Sequence, residues 1–199
     1  MSEKIALLHV VLVGSEPAIW RRVAVPVRGS LRMIHDITQG AMGWQDYHLW
    51  EFIVGDKRYG MPEPGWRERG LFTAKNIRLQ KLIERGVEQF DYVYDMGDDW
   101  LHRITIEAVE DGEPGLAYPR LLDGARRAPP EDVGGIPGFQ AFLEAMADPA
   151  HPEHEAMVAW YGEVFDPETF DQLAAEYRIG SIARRRTAGK AAYARSRAG

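Results

Sequence analysis

The feature that most restricts this chain is the alternation of apolar and polar positions on both sides of a carboxylate-rich turn at residues 90–106. Phe90, Tyr92 and Tyr94 alternate with Asp91, Val93 and Asp95; beyond the turn, Trp100, His102, Ile104 and Ile106 alternate with Leu101, Arg103 and Thr105. A period of two on both sides means two strands, each with one buried face. Between them, Met96-Gly97-Asp98-Asp99 supplies a glycine that tolerates positive φ and aspartates that bond their own backbone, so the chain reverses here.

Similar reasoning extends the pattern outward. Residues 5–13 and 18–27 form two β-branched runs joined by Gly14-Ser15-Glu16-Pro17, and residues 48–54 and 57–60 form a second pair around Gly55-Asp56. Between these pairs, Leu31, Ile34, Ile37 and Ala41 recur at helical spacing after Ser30, a natural N-cap, and before Gly43. A short amphipathic helix is expected over 76–86, an irregular loop anchored by Trp66 over 61–75, and a long Gly/Pro loop over 111–138. Helices are expected over 139–147, 153–164 and 167–177, the last with Asp166 as cap and Pro167 in its first turn. The predicted fold is one α+β domain with an antiparallel-dominated sheet built from residues 5–13, 18–27, 48–54, 57–60, 89–95 and 100–109. Its strand–strand–helix–strand–strand start is β-grasp-like, and residues 137–179 form a helical C-terminal subdomain of a domain spanning 1–179.

Charge and composition bound the function. With no cysteine in 199 residues, disulfides, thiolate nucleophiles and cysteine-ligated metals are excluded, so a metal would need oxygen or imidazole ligands. No apolar run reaches membrane-span length and no signal-peptide core is evident, which makes a cytoplasmic location the expectation. The net charge of −6 conceals a split: Arg184, Arg185, Arg186, Lys190, Arg195 and Arg197 put +6 on residues 180–199, leaving −12 on the rest. Three readings of this basic tail stand: a disordered solubilising end, a weak salt-dependent contact with nucleic acid or an acidic partner, or a segment folded back on its own acidic body.

Several segments in order resemble the plasmid pRiA4b ORF-3-like family. They are Pro17-Ala18-Ile19-Trp20-Arg21-Arg22-Val23, Leu31 to Gly43-Trp44, His48-Leu49-Trp50-Glu51-Phe52, Tyr94 to His102, Pro129-Pro130-Glu131-Asp132-Val133-Gly134-Gly135 and Phe165 to Asp171. The resemblance covers about residues 5–175 and omits the tail. It implies an α+β domain and an association with plasmids or other mobile elements, but supplies no reaction. The chain departs from the family pattern at Trp50, where a second histidine is common, and at Met96, where phenylalanine is common. It also has Ala128 and Val133 where cysteines occur around the Pro-Pro-Glu-Asp loop.

Two function classes follow. One is a non-enzymatic binding or accessory module in which Trp20, Trp44, Trp50 and Trp100 form an aromatic surface beside the acidic hairpin. The other is a metal-dependent hydrolase or nuclease using Asp95, Asp98, Asp99 and His102 as ligands to a divalent cation, with Glu131 and Asp132 for acid–base work. The aspartates can equally shape the turn and pair with Arg21 or Arg22. Convergence of His35, His48 and His102 has no supporting spacing, and no serine lies in a nucleophile elbow. The acidic hairpin and the Pro-Pro-Glu-Asp loop are expected side by side, forming the main polar cleft around a positive group that is arginine or metal.

Overall fold

In the computed structural model, which describes residues 2–61 and 70–197, the alternating segments join one mixed eight-stranded sheet. Its strands are β1 (Lys4–Leu12), β2 (Trp20–Pro26), β3 (Trp50–Val54), β4 (Lys57–Gly60), β5 (Leu71–Thr73), β6 (Gln89–Tyr94), β7 (Trp100–Asp111) and β8 (Arg120–Ala125). They lie in the order β5-β4-β3-β6-β7-β1-β2-β8. Only β4 and β5 pair in parallel; the other neighbours are antiparallel, so the sheet is antiparallel-dominated as the alternation implies. The central hairpin β6–β7 lies between the other two hairpins, so the strand–strand–helix–strand–strand order along the chain is not the order in space.

One sheet face is core. Ala6, Leu8, Val10 and Leu12 from β1 and Val23 and Val25 from β2 are all buried on it. Against them packs α1 (Leu31–Met42), with Ser30 Oγ accepting from Met33 N and Gly43 closing the helix in the left-handed conformation. Full burial of Leu31, Ile34 and Ile37 contributes ~1.5–3 kcal/mol per side chain against ~1 kcal/mol for the cap, so packing holds this helix and the cap sets its start. The other face bears half-buried Leu7, His9 and Val11, and cross-strand ion pairs Arg22–Glu107 and Arg103–Asp91.

The remaining α-helices among the described residues are α2 (Leu79–Glu84), α3 (Gly135–Ala147), α4 (His154–Tyr161) and α5 (Gln172–Ser196). Phe139 and Phe142 of α3 and Ile179 and Ile182 of α5 enter the same hydrophobic cluster as the sheet. Helix α5 crosses α1 at Gly40, where a Cβ would stand 3.3 Å from Arg178 Cβ, so the absent side chain sets the approach.

Four sequence expectations are corrected. The long loop over 111–138 contains β8, which pairs with β2 from Trp20↔Ala125 to Ala24↔Arg120. Its Gly124, which reads as a breaker, is required by packing, since a Cβ there would lie 2.7 Å from Phe170 and 2.8 Å from Arg21 Cδ. The last helix does not begin at Pro167: Asp166 instead bonds Glu168 N and Thr169 Oγ1, and Asp171 is the cap, accepting from Ala174 N at 2.9 Å. Nor is the basic end disordered over 180–196, because α5 continues through it and Arg186 and Lys190 both reach Glu3 beside β1. The described part of the 61–75 loop includes β5, while Trp66 lies outside the described residues.

Candidate metal centre

The register of the sheet brings distant residues together at one end of the interior strands β3, β6 and β7. Trp50 of β3 is opposite Tyr94 of β6, and Tyr94 is opposite Trp100 of β7. His48, just before β3, and Asp95, just after β6, are therefore neighbours, secured by Asp95 N donating to Leu49 O at 2.9 Å. Asp95 adopts φ +60°, and its Oδ1 accepts from Gly97 N at 2.9 Å, so the turn fixes the carboxylate with Oδ2 facing outward toward His48.

The Pro-Pro-Glu-Asp loop reaches the same strand ends by two tethers. Trp44 Nε1 donates to Pro129 O at 2.9 Å, and Gly134 N donates to Asp98 Oδ2 at 3.1 Å. Glu131 accepts from Gln45 N at 3.0 Å and from the Tyr94 hydroxyl. Burial, with the Glu131 carboxylate second, pushes the Tyr94 phenol well above its usual range, keeping it a neutral donor. The loop thereby presents Asp132, at φ +61°, to His48.

His48 Nε2 lies 3.1 Å from Asp132 Oδ1 and 3.5 Å from Asp95 Oδ2. The three side chains each offer a ligand atom within 4.8 Å of the others. Nε2 is itself shielded from solvent, yet it has no partner in hydrogen-bond geometry. Ligand atoms sharing one ion at ~2.1 Å stand ~3.0–3.4 Å apart in octahedral or tetrahedral arrangements; of the two distances from Nε2, the one to Asp132 lies in that range and the one to Asp95 just beyond it. Asp95 is nearly buried and Asp132 largely exposed, leaving one side of the cluster open.

The sequence-derived set is only partly assembled here. Asp98 is engaged with Gly134 N, and Asp99, at φ +54°, is an exposed turn residue whose N–H donates to Asp95 O. His102 is fully buried, with Nδ1 bonded to Trp100 O, and burial lowers its imidazole to about 4, so it is a neutral core residue away from the cluster. Arg21 is also buried and bonds carbonyl oxygens, whereas Arg22 points to the opposite sheet face and pairs with Glu107. Between the two acidic segments stands His48, neither arginine. The proposed aromatic surface does not exist as such: Trp44, Trp50 and Trp100 are core residues, and Trp20 alone is half-buried, edge-on to His9.

His35 has a different setting. Its ring stacks on Trp50 at 4.0 Å, Nδ1 is 2.7 Å from the Tyr92 hydroxyl and Nε2 is 2.9 Å from Asp46 Oδ1. Arg32 bonds both Asp36 and Asp46 nearby, so this second His–carboxylate group already holds its own cation in the guanidinium. The Trp50 ring occupies the stacking position, which explains how this chain accommodates tryptophan at that site. His48 was detectable in sequence only as a histidine at a strand start; its relation to Asp95 and Asp132 depends on β3–β6 pairing and on the loop tethers.

These observations define a two-layer α+β protein with a His–carboxylate cluster where a hairpin turn meets a Pro/Gly loop. The chain belongs to the plasmid pRiA4b ORF-3-like family, whose model matches residues 4–174. It is 38% identical over 178 residues to the uncharacterized protein y4hQ of Sinorhizobium fredii, covering 89% of each chain. It is also similar to the crystal structure of the protein of unknown function MM3350 from Methanosarcina mazei, with a TM-score of 0.79 and 34% identity over 86% of this chain and 97% of that one. Among the described residues, no helix is long and apolar enough to cross a membrane.

Proposed function

We propose that this protein is a divalent-cation-dependent binding module, with His48 Nε2, Asp95 Oδ2 and Asp132 Oδ1 as its protein ligands. The observation that carries the reading is the shielded Nε2, 3.1 and 3.5 Å from two carboxylates but in hydrogen-bond geometry with neither. An imidazolium paired with the same carboxylates would be expected to aim its N–H at one of them. One imidazole nitrogen with carboxylate oxygens suits zinc or manganese better than calcium, which favours oxygen alone.

The test is thermal unfolding of EDTA-treated protein with added zinc, manganese, magnesium or calcium. A cation at 100 times its Kd stabilises the native state by about 2.7 kcal/mol, roughly 5–10 °C for a chain of this size. Asp132→Asn and His48→Gln should remove most of that response. An unchanged transition with every cation would leave direct contact of His48 with the two carboxylates as the explanation of the cluster.

Hydrolysis is a second reading, supported by the exposed side of Asp132 and by Glu131 immediately before it in the chain. Three protein ligands leave positions for water and substrate, as hydrolytic metal sites require. Turnover of bis(p-nitrophenyl) phosphate with manganese, absent in Asp95→Asn, would support it; cation binding without turnover would leave the binding module.

A further inference from the structure

We propose that the cleft between the C-terminal end of α1, the Pro-Pro-Glu-Asp loop and the start of α5 is an anion site for a small organic phosphate. The cleft has a volume of about 370 Å³, and three arginines line it: Arg21, Arg127 and Arg178.

Arg21 supplies the central observation. Its side chain is 1% exposed, and its hydrogen bonds all run to neutral carbonyl oxygens: Nε to Ala41, Nη1 to Trp20 and Ala125, and Nη2 to Arg126, at 2.7–2.9 Å. Those bonds use four of the five N–H groups that a guanidinium carries. Phe170 covers the ring-like face of the group at 3.9 Å. No carboxylate neutralises it among the described residues, and burial alone draws its pKa down to about 10, so it stays charged. A buried, unneutralised cation makes its surroundings favourable for an anion.

The other two arginines provide accessible donors. Arg178, half-buried on α5, donates from Nη1 to Trp44 O at 3.2 Å and has no ion-pair partner among the described residues. Arg127 bonds Glu163, which is 64% exposed, at 3.2 Å, a pair that solvent already weakens. Two carboxylates also line the cleft, but each is engaged: Asp171 caps α5 through Ala174 N, and Glu131 accepts from Gln45 N and Tyr94. With Glu163 on Arg127 the three guanidinium groups face three carboxylates, but Arg21 and Arg178 have none in ion-pair contact among the described residues, so these two keep uncompensated positive charge in a chain that is acidic overall. Tyr161 and Phe170 give it aromatic walls, which favour an organic portion on the phosphate over a bare ion. Arginine forks match the oxygens of a phosphoryl group in bidentate fashion.

Glu131 belongs to this cleft and Asp132 to the cation cluster, so the two sites are contiguous along the loop. The anion site rests on the arginines alone, and its test is therefore run without metal. Full-length, EDTA-treated protein is titrated with inorganic phosphate, with sodium chloride at matched ionic strength and with acetate, and the unfolding temperature is read. A saturable rise with phosphate beyond that with chloride is expected. Arg178→Gln should raise the apparent Kd for phosphate about tenfold, the effect of losing one charge-assisted contact. Arg127→Gln should act in the same direction, while Arg22→Gln, on the far sheet face, should leave it unchanged. Arg21 is left intact because its bonds hold backbone together. Equal effects of phosphate and chloride, or an equal phosphate response in wild type, Arg127→Gln and Arg178→Gln, would overturn the site. A response to acetate as strong as that to phosphate would overturn the phosphate assignment. None of these outcomes bears on cation binding by His48, Asp95 and Asp132.

Discussion

Asp98 Oδ2 accepts the Gly134 N–H at 3.1 Å, and this bond ties the acidic hairpin turn to the Pro-Pro-Glu-Asp loop. The next residue makes the approach specific to glycine: Gly135 has φ +68°, and a Cβ there would stand 2.5 Å from Asp98 O. Gly135→Ala therefore combines backbone strain with a collision against main chain. We expect a loss of about 2–4 kcal/mol in urea unfolding, together with a weakened cation response as Asp132 is displaced. Gly162→Ala, at φ +95° with open space around its Cβ, is the control and should cost only about 1 kcal/mol. Equal losses at the two positions would mean that the turn and loop are not held at this distance.

The two consecutive arginines of β2 should behave differently. Arg21→Met leaves carbonyls of residues 20, 41, 125 and 126 without their donor inside the core, at a cost of about 3–5 kcal/mol. Arg22→Met removes only an exposed pair with Glu107 and should be indistinguishable from wild type in the same denaturation curve. Comparable destabilisation by both would contradict the placement of β2 across the sheet.

Acid stability should follow His102. Its folded pKa is about 4, lowered by burial, against an ordinary value of 6.5. Between those values the unfolded chain binds a proton that the native imidazole refuses. The stabilisation is therefore complete above about pH 6.5, is lost as the pH falls toward 4, and amounts to about 3 kcal/mol in all. Burial lowers His35 as well, in the same direction. Urea midpoints from pH 7.5 to 4.5 should fall less steeply in His102→Gln than in wild type; parallel curves would show that His102 is not the group being protonated.

The basic half of α5 has a measurable intramolecular role. Arg186 bonds both oxygens of Glu3, and Lys190 reaches the same carboxylate at 3.0 Å. Arg186→Gln should lower stability by about 1 kcal/mol or less, and 1 M salt should erase the difference. With these two charges occupied, Arg184, Arg185, Arg195 and Arg197 remain for an external acidic partner. Duplex-DNA binding measured at 50 and 150 mM salt, with and without residues 184–199, should show a tail contribution only at the lower salt. Binding that is unaffected by truncation at both would assign the tail to the fold alone.

The alternation around residues 90–106 and the Ser30-to-Gly43 frame made the hairpin and α1 legible in sequence, because side-chain period and cap chemistry are local properties. Strand β8 was not legible: Gly124 looks like a breaker until the Phe170 ring and the Arg21 side chain that require it are in place. The run of α5 past Ile182 was likewise hidden, since the partner of Arg186 and Lys190 is Glu3 at the other end of the chain. By itself the sequence determined the strands other than β5 and β8, the place of α1, which of their faces are apolar, and that the hairpin turn and the Pro-Pro-Glu-Asp loop carry carboxylates. Only the tertiary structure decided which charges meet. Cross-strand register set His48 beside Asp95, loop tethers brought up Asp132, and burial withdrew His102 and three tryptophans. The physical reason is that backbone preference acts over a few residues, whereas the field and solvent exposure at a side chain are fixed by atoms that any part of the chain can supply.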